Sequence, residues 1–81
     1  MSSSYGNNRQ IMIMEAELRQ LVRDTRIGLG MSGADVADRI EVSRPFYTQL
    51  EGGTRRMSLY YFLGICKALR MSPVEMFAGV K

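Results

Sequence analysis

The sequence has no histidine and a single cysteine, Cys66. Without histidine it lacks the usual general base at neutral pH and the commonest nitrogen ligand for metals. One cysteine can form neither an internal disulfide nor a multi-cysteine zinc site. A hydrolase or metalloenzyme would need unusual chemistry here, so no catalytic group, cofactor or metal site is expected. No apolar run approaches the ~18–20 residues of a membrane span. The longest near the N-terminus, Ile11-Met12-Ile13-Met14, is too short for a signal-peptide core and is followed by Glu15 and Glu17. The expected chain is cytoplasmic, with no membrane partner and no ligand-binding domain for a small molecule.

What is present suits one small domain. The chain has 81 residues, 46% of them hydrophobic, ordinary for a globular fold and too rich for disorder. Eleven Lys and Arg against eight Asp and Glu leave a net charge of +3. Nine of the cations are Arg, with only Lys67 and Lys81 besides. Arginine's planar fork of donors suits phosphates and guanine edges. The count alone fits an Arg-rich genome equally well.

The pattern along the chain is helical. Residues 1–10 read as a disordered leader, Met1–Asn8 being small and polar. Residues 11–81 read as a single domain. Ile11, Met14, Leu18, Leu21, Val22 and Thr25 recur at three- and four-residue steps, with charged residues between them. Gly28 and Gly30 end this first helix. Ile11–Met14 is either part of it or a short strand, since periodicity cannot settle four residues. Ser32 can cap a second helix through Ile40, with Asp35 in the capping-box position. Ser43 can cap a third through Leu50, with Pro45 in its first turn, Tyr47 and Leu50 inward, and Gly52-Gly53 as the stop. Ser58 can cap a fourth whose apolar stripe is Leu59, Phe62, Leu63, Cys66 and Leu69. Ser72-Pro73-Val74-Glu75 is the strongest helix start in the chain: a capping serine, proline at the first position and glutamate at the third. The expectation is all-α, with five short-linked helices.

The second and third helices, joined only by Glu41-Val42, are too closely linked to lie antiparallel and must cross steeply, as in a helix-turn-helix unit. Ala37 allows close approach, Val42 can plug the turn, and Leu50 can reach the core. The outer face of the third helix then offers Arg44, Pro45, Phe46, Thr48 and Gln49. At this point the sequence resembles the phage-repressor and Cro-like helix-turn-helix family, also called the Xre family. Met31–Arg44 looks like that family's second helix, turn and start of recognition helix. Leu50-Glu51-Gly52-Gly53-Thr54-Arg55-Arg56 looks like its helix-three exit, and Leu63–Phe77 like its last two helices. The likeness runs from about Leu18 to Phe77. Gly33 stands where the family usually has a phosphate-clamping glutamine. Glu41 replaces a glycine, which would be strained if the position needs a positive φ. Met57 replaces a common proline.

The resemblance implies a compact five-helix, lambda-repressor-like domain. It implies a sequence-specific transcription regulator, prokaryotic or phage-encoded, that binds double-stranded DNA. Arg44 can bond guanine O6 and N7, and Gln49 can pair with adenine N6 and N7. Pro45, Phe46 and Thr48 can meet thymine methyls. Phe46 either does so or turns inward, and Tyr47 sits in the core with its hydroxyl emerging at the edge. Thr54, Arg55 and Arg56 are expected to hold phosphates, as are Ser32, Gly33, Ser43 and Ser58 at helix starts. Arg26 and Glu51 are implied to form an ion pair beneath the recognition helix. Cys66 reads as core. One module makes too few contacts for a specific site, so a homodimer on a palindromic operator is expected, with half-sites ~34 Å apart. Met71, Met76, Phe77 and Val80 are the candidates for its interface, with Tyr60 and Tyr61 at the edge and Ile11–Met14 as a second surface; the alternative is that the residues of the last helix simply close the small core. Repressors, autoregulators and restriction–modification controllers fit this description. The alternative is an antitoxin-like module whose main partner is another protein.

Overall fold

A computed structural model describes residues 8–79. Five helices follow in order: α1 (Asn8–Gly28), α2 (Gly33–Arg39), α3 (Arg44–Gly52), α4 (Leu59–Ala68) and α5 (Pro73–Ala78). Among the described residues there is no strand. Ile11–Met14 is helical, as part of α1. Because α1 begins at Asn8, residues 8–10 of the expected leader are helical too. Residues 1–7 lie outside the described residues, and so does Val80.

Local chemistry sets the helix starts. Ser32, Ser43, Ser58 and Ser72 are all extended N-caps, each accepting a hydrogen bond from the backbone N–H three residues on. α2 and α5 complete the capping box through Asp35 and Glu75, which accept from the cap N–H in return.

The helix ends share one device. After α1, α2 and α4 the chain makes a left-handed residue, and the next N–H reaches back to a carbonyl five residues earlier. These bonds are Met31 to Arg26, Val42 to Ala37 and Met71 to Cys66, each 3.0 Å. Such closures favour glycine at the left-handed position. Gly30 supplies it after α1, but Glu41 (φ 61°) and Arg70 (φ 57°) occupy the other two. The strain expected at Glu41 is present, and Arg70 carries the same strain without having been anticipated from the sequence.

The core is built from every helix. Val22, Val36, Ala37, Tyr47, Leu50, Phe62, Ile65, Cys66, Leu69 and Met76 are buried. Leu18, Leu21, Ile40 and Val42 pack against this cluster at its edge. Arg39 crosses from α2 and donates to the Ala68 carbonyl at 3.1 Å, capping α4. Three readings of the pattern need correction. Leu59 and Leu63 are exposed, and Ile65 takes their place, so the buried stripe of α4 is rotated from the expected one. The turn before α4 and the position of α5 set that rotation, and neither is visible in a stripe of residues that is apolar on most sides. Met76 is 1% exposed and closes the core under α5, which removes it from any self-association surface. The Tyr47 hydroxyl does not emerge at an edge but is buried against Glu51.

Relief of the left-handed strain gives a direct test. Glu41→Gly and Arg70→Gly should each raise unfolding stability by about 1 kcal/mol, the left-handed penalty for a side chain less the entropy of the added glycine. Urea titrations followed by far-ultraviolet circular dichroism measure this, and a loss of stability in either variant would contradict it.

Candidate nucleic-acid interface

α3 has two faces of opposite character. Tyr47, Leu50 and Glu51 point inward and are buried. Arg44, Pro45, Thr48 and Gln49 point outward and are exposed. The inward face is held by an ionic cluster centred on Glu51. Arg26 Nε donates to one carboxylate oxygen at 2.9 Å and its Nη2 to the other at 2.8 Å. Arg23 Nε adds a bond at 3.2 Å, and the Tyr47 hydroxyl donates as well. Arg26 also donates to the Met31 carbonyl at 2.9 Å, which ties the end of α1 to the start of α2. α1 thus grips α3 from behind.

The protonation states follow from these contacts. Burial by itself would raise the Glu51 pKa, but hydrogen bonds from Arg26, then Tyr47, and the Arg26 charge outweigh it and hold the carboxyl below its ordinary range. The hydrogen bond to Glu51 raises Arg26. Burial, with Glu51 as the second cause, pushes the Tyr47 phenol far up, so it stays a donor at any physiological pH. Burial also raises the Cys66 thiol, in keeping with an inert core residue.

The outward residues are not equivalent. Arg44 is exposed and has no salt-bridge partner among the described residues. Phe46 neither faces outward freely nor joins the core. It is half-buried and lies sideways, edge-on to Tyr61 of α4 at 5.0 Å, with Tyr60 edge-on to Tyr61 in turn at 5.2 Å. The Arg55 guanidinium sits 4.7 Å from the Phe46 ring centre, and Arg55 Nε donates to Gln49 Oε1 at 3.0 Å. Thr54 and Arg56 are exposed in the α3–α4 loop, with Arg56 only loosely paired to Glu15 at 3.7 Å.

The helix starts differ from one another as well. The Ser32 N–H is occupied by Asp35 at 2.8 Å. That bond holds the Asp35 carboxyl low and places a negative charge at the first turn of α2. Ser32 therefore keeps only its hydroxyl proton for a phosphate. Ser43 and Ser58 accept through their hydroxyl oxygens and leave their hydroxyl protons free. At Gly33 a Cβ would meet the Tyr47 ring at an ordinary 3.5 Å, so the missing side chain is no steric requirement of the fold. Gly53 is required: its φ is 89°, and a Cβ there would meet the Arg19 guanidinium at 2.8 Å.

Sequence reasoning missed Arg23, the bond from the Tyr47 hydroxyl to Glu51 and the packing of Tyr61 on Phe46. The first two were signalled by spacing, Arg23 three residues before Arg26 and Tyr47 four before Glu51, each pair sharing a helix face. Tyr61 carried no such signal, because its partner lies on another helix.

Of the described residues, no His, Cys, Asp and Glu group is disposed to hold a metal, and no helix is long and apolar enough to cross a membrane. A family model described as a helix-turn-helix domain matches residues 16–77. No curated protein matches the sequence. Among solved structures, the chain is similar to the wild-type restriction-modification controller protein C.Esp1396I. The TM-score is 0.76 at 21% identity, covering 82% of this chain and 85% of that one. A tyrosine-to-phenylalanine mutant of the same controller gives a TM-score of 0.74 at 23% identity, covering 80% and 82%. At these identities the likeness speaks to the fold.

The ionic cluster makes a pH prediction. Glu51 has a lower pKa folded than unfolded. Its contribution is therefore complete above the unfolded value near ~4.3 and fades as pH falls through the folded value. Glu51→Gln should cost about 3 kcal/mol at pH 7, because it leaves Arg26 without its counter-charge. It should also flatten the loss of stability below pH ~4 that the unmodified protein shows. Urea titrations from pH 3 to 7 on both proteins test this, and parallel pH profiles would exclude Glu51 as the cause.

Proposed function

The chain belongs to the helix-turn-helix domain family, and from that premise we propose that it is a sequence-specific, double-stranded DNA-binding transcription regulator. It acts without catalysis, as a homodimer on a palindromic operator, in the manner of a repressor or autoregulator. The observation that carries this reading is the division of α3. One face is clamped by the Glu51 cluster, and the other presents Arg44, Thr48 and Gln49 to the exterior. A rigid helix with polar donors on its free side is what major-groove readout needs. The fold likeness to a restriction-modification controller supports a controller role.

In this reading Arg44 and Gln49 read bases. Pro45 and Thr48 line the same face and meet methyl groups or the backbone, while Phe46 works mainly as a brace. Thr54, Arg56 and the free hydroxyl protons of Ser32, Ser43 and Ser58 hold phosphates, with the Gly33 N–H beside them. Arg55 reaches the same groove from the loop.

Self-association falls to α4. Leu59, Tyr60 and Leu63 are 67%, 79% and 43% exposed, and this apolar face adjoins α3 through the edge-to-face contacts of Tyr60, Tyr61 and Phe46. A contact there keeps the recognition helices of two copies close together, as half-sites ~34 Å apart require. Met71 packs against the core, which leaves Phe77, exposed and resting on Phe62, as the α5 candidate.

A second reading, an antitoxin-like module with a protein as its main partner, draws on the exposed Ile11, Met12, Ile13 and Met14 of α1. Salt separates the two. A regulator's affinity for duplex DNA falls steeply with ionic strength as phosphate counterions are released, whereas a protein-partner module shows little such dependence.

Three outcomes are expected of the regulator. Selection from a random duplex pool should return a palindrome. Arg44→Ala should cost about 1–3 kcal/mol at one base position per half-site, while Arg56→Ala should weaken specific and random DNA alike. Equal losses on both DNAs for Arg44→Ala would remove it from the base-reading set. Tyr60→Glu should shift sedimentation from dimer to monomer and lower operator affinity without changing the circular dichroism spectrum. An unchanged dimer would move the interface elsewhere.

A further inference from the structure

Gln49 and Arg55 are joined before any DNA arrives. Besides the bond from Arg55 Nε to Gln49 Oε1, the Arg55 backbone N–H donates to the Gln49 carbonyl at 3.2 Å, and the Phe46 ring lies under the guanidinium. The loop cation is therefore tied to the recognition helix at three points.

That arrangement fixes the sense of the Gln49 amide. An arginine Nε–H can only donate, so the atom facing it must be the amide oxygen, and the amide nitrogen points away. The outward set of the pair is then the two N–H groups of Gln49 Nε2 together with the Nη groups of Arg55. All of these are donors. A free glutamine pairs with adenine by donating to N7 and accepting from N6; here Arg55 takes one of the oxygen's two lone pairs and sets a cationic donor beside the other, which disfavours the N6 donor without excluding it. Guanine presents two acceptors, N7 and O6, to the same groove. Thymine presents one, and cytosine presents a donor.

We infer that Arg55 is a positioning residue that converts Gln49 from an adenine reader into a guanine reader, the two side chains acting as one donor-only unit. This rests on the regulator reading above, and it replaces the adenine pairing expected of Gln49 from sequence. Arg55 is then more than a phosphate clamp, because the hydrogen bond it makes inside the protein decides which base edge the helix accepts. The cation–π contact with Phe46 holds the guanidinium in place and explains why an aromatic ring stands sideways on this helix.

The test is selection from a random duplex pool with the full chain, using the unmodified protein, Gln49→Ala, Arg55→Ala and Gln49→Glu. The position that loses its preference in Gln49→Ala is the one Gln49 reads. The unmodified protein should select guanine there. Arg55→Ala frees the amide oxygen and should raise adenine relative to guanine by about tenfold. Should Arg55→Ala bind too weakly to select, Gln49→Glu still reports. Its carboxylate also accepts from Arg55 but presents an acceptor outward, so the position should change to cytosine. Adenine selected by the unmodified protein, a uniform loss on all sequences with Arg55→Ala, or guanine retained by Gln49→Glu would each overturn the inference and leave the regulator reading standing. A pool from which no sequence emerges would overturn the regulator reading, and the inference with it.

Discussion

Glu51 is the one buried charged residue among those described, and the placement of α3 depends on it. An ionised carboxylate in a protein interior is costly unless its oxygens are fully paired. Here Arg26 takes both oxygens, and Arg23 and the Tyr47 hydroxyl complete the set. Because Arg26 also binds the Met31 carbonyl, a single guanidinium joins the end of α1, the approach to α2 and the inner face of α3. Apolar packing alone is weakly directional and would let a nine-residue helix roll about its axis. A forked, bidentate pair has one satisfactory geometry, so it fixes the rotation of α3 and with it the direction in which Arg44 and Gln49 point.

The outer side of α3 is ordered by a second, weaker set of contacts. Phe46 leans on Tyr61, Arg55 lies over Phe46, and Arg55 bonds Gln49. These contacts lie at the surface, the rings half-buried and the Gln49–Arg55 bond exposed, each contributing on the order of 1 kcal/mol or less. They add little to stability but set side-chain orientation on the outer face of α3. The interior cluster holds the helix, and the surface cluster decides what the helix displays. The loop joining α3 to α4 links the two, through Gly53 packed against Arg19 and Arg55 packed against α3.

The α4 and α5 surfaces show how a small domain divides its apolar residues. Phe62, Ile65, Cys66, Leu69 and Met76 close the core, while Leu59, Tyr60 and Leu63 stay outside beside α3. A chain of this length cannot bury every apolar side chain it carries. Those left over form an exposed patch beside α3.

Much of the architecture was legible in the chain, because the signals are local. Capping serines, a proline in the first turn and a glutamate three residues after its cap act within one turn of backbone, so Ser32, Ser43, Ser58 and Ser72 mark four helix starts without knowledge of the rest. The short α2–α3 link and the three- and four-residue apolar steps specify five helices and a protruding third. The tertiary structure alone decided the rest: that Leu63 lies outside and Ile65 inside, that Met76 is core, that the Tyr47 hydroxyl turns to Glu51, and that Arg55 grips Gln49. Leu63, Ile65 and Met76 depend on how one helix is rotated against another. The Arg55 contact joins residues six positions apart. The Tyr47 bond, though its four-residue spacing is legible in the chain, depends on which way α3 turns its inner face. Helix periodicity is indifferent to such rotations, and the order of residues along a chain does not encode such contacts until the chain has folded.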